Sequence, residues 1–417
     1  MGAYRLQALQ YASEVAFASN AANPSVNTWD QRIPAENIVM TLSQPRIPDA
    51  AAQGRLAVRG LSHIGPRMCT LEFTTNLIGN QSDPGTGTVT ERFQTTLLGY
   101  ALGGKRVAGS GSEVTGSSSS ASAVYVVTAG GWVDGDYAAI GRKGDGGGDG
   151  QAVPISAVTT ASGLLDLRMN APGTPSASAV VQRLAVVYHD EDATLTTVRM
   201  IGMHADTGAQ FHMMGGQLMG FTINTPLDGS GPSKITYRYA FAYWDRIATT
   251  FPPSPSLQDN WGAAPAGGSI ALQNFGTKTR TTKSAASINL NVELEFQPIV
   301  APGGNGEYQT IVGWSKTNFG ATLSMQIPWE TARDTAFMTA NTSYTYEQLM
   351  ATFNPRGANG GGLITGYDCR RMFYEGERPA SVVEVNGQCY TTAVWRLTES
   401  TDTTSDLTRA SLVLFAG

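Results

Sequence analysis

The 417-residue chain carries 28 Lys and Arg against 33 Asp and Glu, a net charge of −5, and only 15% charged residues, against the ~25% of an ordinary soluble domain. That balance excludes a protein that grips nucleic acid through a basic patch, and low charge combined with 48 glycines fits a β protein that hides much of its surface in an assembly. Cys69, Cys369 and Cys389 have no CxxC spacing, so neither a disulfide framework nor a zinc site is expected and no cofactor is implied.

In chain order, the first segment holds Leu6, Leu9, Val15, Phe17 and Trp29 without a clear period. Met1 to Asp49 therefore reads as an extended arm that gains order on a neighbouring subunit. A basic n-region followed by an apolar h-region is absent, and no apolar run reaches the 18 residues of a membrane helix. Folding in a cytoplasm, without a membrane partner, is the expectation. From Arg67 to Leu77 the sequence alternates, with Cys69, Leu71, Phe73 and Leu77 on one face and Thr70, Glu72, Thr74 and Asn76 on the other. Gly103 to Ser122 is Gly- and Ser-rich and reads as a surface loop; Gly144 to Gly150 reads the same way.

Phe211 to Ile223 and Ile235 to Trp244 predict a long hairpin, with Pro and Gly in the connection supplying the turn. Pro-rich sequence from Phe251 to about Gly268 suggests a linker. The most regular strand is Ile288 to Phe296: Ile288, Leu290, Val292, Leu294 and Phe296 alternate with Asn289, Asn291, Glu293 and Glu295. Ala321, Leu323, Met325 and Ile327 mark another. Helix is expected at Tyr346 to Phe353, where Tyr346, Leu349, Met350 and Phe353 follow i, i+3, i+4, i+7 behind a Thr345/Gln348 capping box. Thr331 to Ala340 suggests a short helix before it. The expected class is all-β, with two barrel- or sandwich-like domains, 1–250 and 271–417, joined by a linker at 251–270, and one or two short helical insertions.

Catalytic signatures of the GxSxG, HExxH and P-loop kinds do not occur. Gly60-Leu-Ser-His-Ile-Gly65 has one residue too many for a nucleophile elbow and reads as a turn. Tyr188-His-Asp-Glu-Asp192 reads as a polar turn, with a divalent-cation site as its alternative; the same holds for Asp134, Asp136, Asp145 and Asp149. His204, His212, Met213 and Met214 suggest a soft-metal site or, more simply, a Met-rich packing face. Tyr237, Tyr239, Phe241 and Tyr243 share a strand face, suited to a core or contact surface or to stacking sugars or bases.

Ile38 to Leu42, Arg46 to Asp49, Gly54 to Gly60 and Cys69 to Gly79, ending in the turn Leu77-Ile-Gly79, resemble the opening of bacteriophage tail tube proteins. Val198-Arg-Met-Ile-Gly202 through Trp244 is similar to their pair of long strands, with Gly215, Gly216 and Gly220 where a curved strand needs small residues. Ser287 to Pro328 resembles the same unit again, so the chain looks like the duplicated, two-domain variety of the family. The resemblance implies a structural virion protein of the tail, not an enzyme. It further implies trimeric, pseudo-hexameric rings stacked around a lumen, other tail proteins at the tube ends, and DNA that passes without specific binding. Under that resemblance Asn289, Asn291, Glu293 and Glu295 are expected to line the lumen; facing outer solvent is the alternative for the same residues. A capsid decoration protein and a receptor- or carbohydrate-binding tail protein remain alternative functions.

Overall fold

A computed structural model describes residues 2–14, 17–18, 29–48, 62–82, 89–109, 111–113, 119–127, 129–140, 151–171, 173–175, 179–204, 206–227, 230–247, 263–280, 285–302, 309–329, 346–355, 364–375, 382–385, 388–399 and 405–417. The fold is nearly all β, with antiparallel sheets and two helices among those residues. None of the described helices is long and apolar enough to cross a membrane.

The first strands are β1 (Gly2–Ser13), β2 (Gln31–Ile33), β3 (Glu36–Ser43), β4 (Arg46–Pro48), β5 (Ser62–Ile64), β6 (Met68–Asn76), β7 (Gln81–Ser82) and β8 (Val89–Thr90), followed by helix α1 (Phe93–Leu102). Then come β9 (Gly103–Arg106), β10 (Gly111–Glu113), β11 (Ala123–Tyr125), β12 (Tyr137–Ile140), β13 (Gln151–Thr159), β14 (Leu164–Leu167), β15 (Val180–Arg183) and β16 (Ala185–His189). β17 (Val198–His204), β18 (Gln210–Pro226), β19 (Lys234–Ile247), β20 (Ala263–Asn274), β21 (Ser287–Pro302) and β22 (Gln309–Pro328) follow. The last elements are β23 (Glu347–Pro355), β24 (Thr365–Tyr374), β25 (Val382–Val385), β26 (Gln388–Leu397), helix α2 (Asp406–Arg409) and β27 (Leu412–Ala416).

Six strands close on themselves in the order β1, β17, β18, β19, β6, β3 and back to β1. Closure leaves no free edge around this barrel. Its interior is filled by alternate residues, among them Leu9, Met40, Leu71, Phe73, Met200 and Phe221, and Phe73 stacks on Tyr237 at 4.9 Å between ring centroids. The expected hairpin of β18 and β19 forms over its full length. β18 also pairs with β21 through residues 220–226, and the sheet continues through β22, β26, β24, β23 and β20. A branch from β24 runs through β27, β16 and β9.

These pairings place residues from both sides of 251–270 in one sheet and one apolar cluster. The expected linker therefore does not separate two cores: residues 251–262 lie outside the described ones, and 263–270 belong to β20. A separate core lies elsewhere, in the six-stranded sheet β10-β15-β12-β13-β14-β11, which packs Val124, Trp132, Ile155, Leu165 and Val181 together.

Four sequence expectations change. Tyr346–Phe353 is not a helix; β23 lies between β20 and β24 with both faces covered, so Leu349, Met350, Ala351 and Phe353 are all buried, and a strand buried on both faces loses the alternation that distinguishes it from a helix. The N-terminal arm is only partly an arm, because β1 and β3 are barrel staves with Leu6 and Leu9 in the core; Val15 lies outside the described residues. Gly103–Ser122 is not a continuous loop: Gly103–Arg106 pairs with β16 and Gly111–Glu113 with β15. Helix α1 was not anticipated, and its burial on nearly every side explains why, since Phe93, Gln94, Leu97, Leu98, Ala101 and Leu102 leave no amphipathic stripe. Thr331–Ala340 and Gly144–Gly150 lie outside the described residues.

A polar network fastens the six-stranded sheet to the main one. Tyr137 Oη donates to Asp368 Oδ2 at 2.5 Å, and Gln348 Nε2 donates to both Asp368 oxygens at 3.0 Å. Arg370 donates to Tyr137 Oη at 3.0 Å, to Gly135 O at 2.9 Å and to Leu407 O. Asp368 and Arg370 are both fully buried. Burial pushes the Asp368 carboxyl up, while Arg370, Tyr137 and Gln348 pull it back. Removing one member leaves the others desolvated without a partner. Asp368→Ala is expected to cost about 3–5 kcal/mol in chemical denaturation, whereas Asp368→Leu with Arg370→Met should restore much of that loss. An Asp368→Ala variant of unchanged stability would show that the network is not holding the two sheets together.

Candidate functional surface

The proposed lumen residues sit in the middle of a polar face that spans seven strands. Residues directly opposite one another across a ladder share a face, so the register defines rows. One row reads Glu36, Thr74, Thr236, Thr222, Asn291, Thr322, Arg396 across β3, β6, β19, β18, β21, β22 and β26. The row on one side is Asn76, Lys234, Asn224, Asn289, Ser324, Val394. On the other it is Glu72, Arg238, Gly220, Glu293, Gly320. The residues between these positions, such as Phe73, Tyr237, Phe221, Leu290 and Leu323, are completely buried. The strands thus turn one continuous set of hydroxyl and amide groups outward.

Asn289, Asn291 and Glu293 are drawn together with that face, while Glu295 stands one step beyond it, opposite Asn318, where β18 no longer flanks β21. The opposing set Ile288, Leu290, Val292, Leu294 and Phe296 is buried, as alternation predicts. Hydrogen bonds knit the face across strands. The Thr74 and Thr236 hydroxyls lie 2.9 Å apart, Thr222 Oγ1 donates to Asn291 Oδ1 at 3.0 Å, and Asn291 Nδ2 donates to Glu293 Oε1 at 3.1 Å. Lys234 is paired with Glu36 at 2.7 Å. Gly220 leaves room for the Arg238 guanidinium, since a Cβ there would lie 2.9 Å from its NH2. Cationic and anionic side chains are interspersed on this face, and neither sign forms a stripe.

Sequence reasoning found the β21 part of the face, and it had placed Glu72 and Thr74 on a polar strand side. It missed Thr222, Thr236, Thr322 and Arg396 as their neighbours. Each occupies an alternate position beside buried residues, a signal present in the sequence, but the register that aligns them is not.

The other candidate clusters have structural partners. Asp136 is buried and bonded to Arg106 and to Val133 N, and Asp134 accepts from Val158 N; Asp145 and Asp149 lie outside the described residues. Burial raises the Asp136 carboxyl, and Val133 N and Arg106 lower it again. In the 188–192 turn, Asp190 accepts from Asp192 N and its carbonyl from Lys316 Nζ, while His189 stacks on Phe319 at 4.1 Å. His204 accepts turn amides from Asp206 and Thr207; His212 meets the edge of Trp29, and Met213 is in the core. Tyr237, Tyr239 and Phe241 are core residues, leaving only Tyr243 partly exposed beside Arg67. Gly60 and Leu61 lie outside the described residues, and Ser62 to Ile64 form β5. No group of three or more His, Cys, Asp or Glu able to hold a metal is found among the described residues. Comparison with protein-family models gives no match, and comparison with curated proteins gives none either.

Two buried histidines predict an acid response. His189 is pushed down to about 4 by burial and then by Lys316, and His212 to about 4 by burial and then by Arg199. An unfolded imidazole titrates near 6.5, so the unfolded chain takes up these protons first. Their stabilising contribution is complete above about pH 6.5 and is lost as pH falls toward 4. The midpoint of thermal unfolding should fall across that window, and His189→Gln with His212→Gln should flatten the fall. Equal slopes in the two proteins would show that the histidines do not drive it.

Proposed function

We propose that this chain is a structural, self-assembling virion protein that forms the tail tube of a long-tailed bacteriophage, with the seven-strand polar face lining the channel for the genome. The observation that carries this reading is that face: a broad, continuous sheet surface of Thr, Asn and Ser, with its few cations set among carboxylates. Phosphates gain affinity wherever clustered Lys and Arg release counterions. A wall of amides and hydroxyls with matched charges offers little of that affinity, so a duplex can slide past it. Rings of three chains, other tail proteins at the tube ends and a location in the virion tail belong to the same reading, as does the lumen position of Asn289, Asn291, Glu293 and Glu295.

Negative-stain microscopy of the purified chain separates the tube from a capsid decoration protein. Rods with a stain-filled channel support the tube, and shells or caps support decoration. A carbohydrate-binding role has less support, because the aromatic stripe that suggested it lies largely in the core. The lumen assignment has its own test. Glu293 and Glu295 are exposed, so changing both to Lys should shift stability by no more than ~0.5 kcal/mol per site and leave rods intact. The same change would add positive charges to the DNA path, and genome ejection should slow in a salt-dependent manner. Rods of the variant that eject normally at low salt would put this face on the outside of the tube.

A further inference from the structure

The hairpin β21–β22 outgrows the sheet that carries it. β18 flanks β21 only to Glu293, and β26 flanks β22 only from Thr322. Beyond those points the two strands continue to pair with each other, out to Pro302 and Gln309. Trp314 anchors the root of this ribbon, donating from Nε1 to Gly215 O at 2.8 Å, and Phe319 anchors it against His189. Farther out the ribbon is apolar and uncovered: Ile299, Val300 and Val312 are 47–48% exposed. Two-stranded ribbons are marginal in water by themselves, and β-branched side chains exposed on one mark a surface that a partner covers.

We infer that the outer ribbon, Gln297–Pro302 with Gln309–Ser315, is an arm that docks on a second copy of this chain. Its receiving surface is the collar of exposed valines Val107, Val127 and Val133.

Two observations favour a second copy over an unrelated partner. First, the nine exposed large apolar side chains among the described residues are not scattered. Three lie on the arm, and three border the turn that Arg106 and Arg183 hold through Gly131 O. One chain therefore carries two separate apolar patches of the same β-branched type, and a contact between different patches of like chains repeats from copy to copy. Second, the areas match that arrangement. Six residues at about 3.3 Å each and two strands about 4.8 Å apart give about 200 Å² per face, or about 400 Å² for both. A standard interface takes about 800 Å² from each partner. One arm supplies about half of this, and a chain that both gives an arm and receives one reaches it.

The inference rests on self-association, which the tube reading also requires, but not on a channel. Ile299→Thr with Val312→Thr keeps β-branching and hence strand propensity, and Ile299→Glu with Val312→Glu adds charge. Sedimentation of the full chain over a 100-fold concentration range is the measurement, with circular dichroism as the check on folding. The wild type should assemble as concentration rises, and the Thr pair should shift its midpoint at least 10-fold higher. The Glu pair should stay monomeric with an unchanged β spectrum. In a Cys389→Ser background, a mixture of Ile299→Cys and Val107→Cys chains should give a mixed disulfide dimer on mild oxidation.

Assembly of both pairs like the wild type would overturn the arm. A wild type that remains monomeric would overturn the arm and the tube together, including where the exposed ribbon instead takes it onto neutral phosphatidylcholine vesicles. Crosslinking of Ile299→Cys only to itself would overturn the valine collar. Rods from the Glu pair would remove the arm and keep the tube; compact, channel-free wild-type oligomers that the Glu pair abolishes would keep the arm and remove the tube.

Discussion

The architecture depends on β18 being a stave of the barrel and the seam to the rest of the sheet at the same time. One edge of the strand is occupied by β19 throughout. The other is shared, by β17 up to Gly216 and by β21 from Gly220. Seventeen residues cannot serve two divergent neighbours as a straight ribbon, and the register shifts where the partners change. Gly215 takes φ 64 there, a conformation other residues adopt at a cost. Its N–H is held by Glu14 at 2.8 Å, and its carbonyl by Trp314. The bend thus ties the N-terminal strand and the long β21–β22 ribbon to the same point, which sets the direction in which the ribbon leaves the sheet.

A second constraint is electrostatic. Asp368 and Arg370 are buried, a placement that raises the free energy of both charges unless each finds several partners. Those partners come from Tyr137, Gly135, Gln348 and Leu407, which are distant in sequence. The network forms only when the six-stranded sheet, β23 and the α2 turn are all in place, so it favours one docking of these elements over others. Apolar packing is less selective, since it rewards any arrangement that removes comparable area from water. Position in the assembled sheet then follows from the network, and the polar face lies on strands fixed by the barrel and its extension.

The same ladders explain how one face serves a different purpose from the other. Along β6, β19, β18, β21 and β22 the buried side chains form a single cluster, and the alternate side chains form the amide and hydroxyl surface. A change of register by one residue would exchange the two sets. Maintaining the polar surface is therefore inseparable from maintaining the core, and hydrogen bonds such as Thr222 to Asn291 add specificity to the alignment.

Strands with one wet face were legible in the sequence because alternation is local: Ile288–Phe296, Cys69–Phe73 and the β18–β19 hairpin each declare a buried and a polar side within a few residues. From that pattern alone, the all-β class and the polar identity of Asn289, Asn291, Glu293 and Glu295 followed. Tertiary structure decided what lay beyond single segments. Leu349 to Phe353 imitated a helix because both faces of β23 are covered, and α1 escaped notice because almost every side is buried. Asp368 and Arg370 alternate with apolar residues as a solvent face would, yet another sheet covers them. Closure of the barrel, the sharing of β18 and the alignment of seven strands into one polar surface are choices of partner. Partner choice depends on contacts between residues far apart in the chain, which local periodicity does not encode.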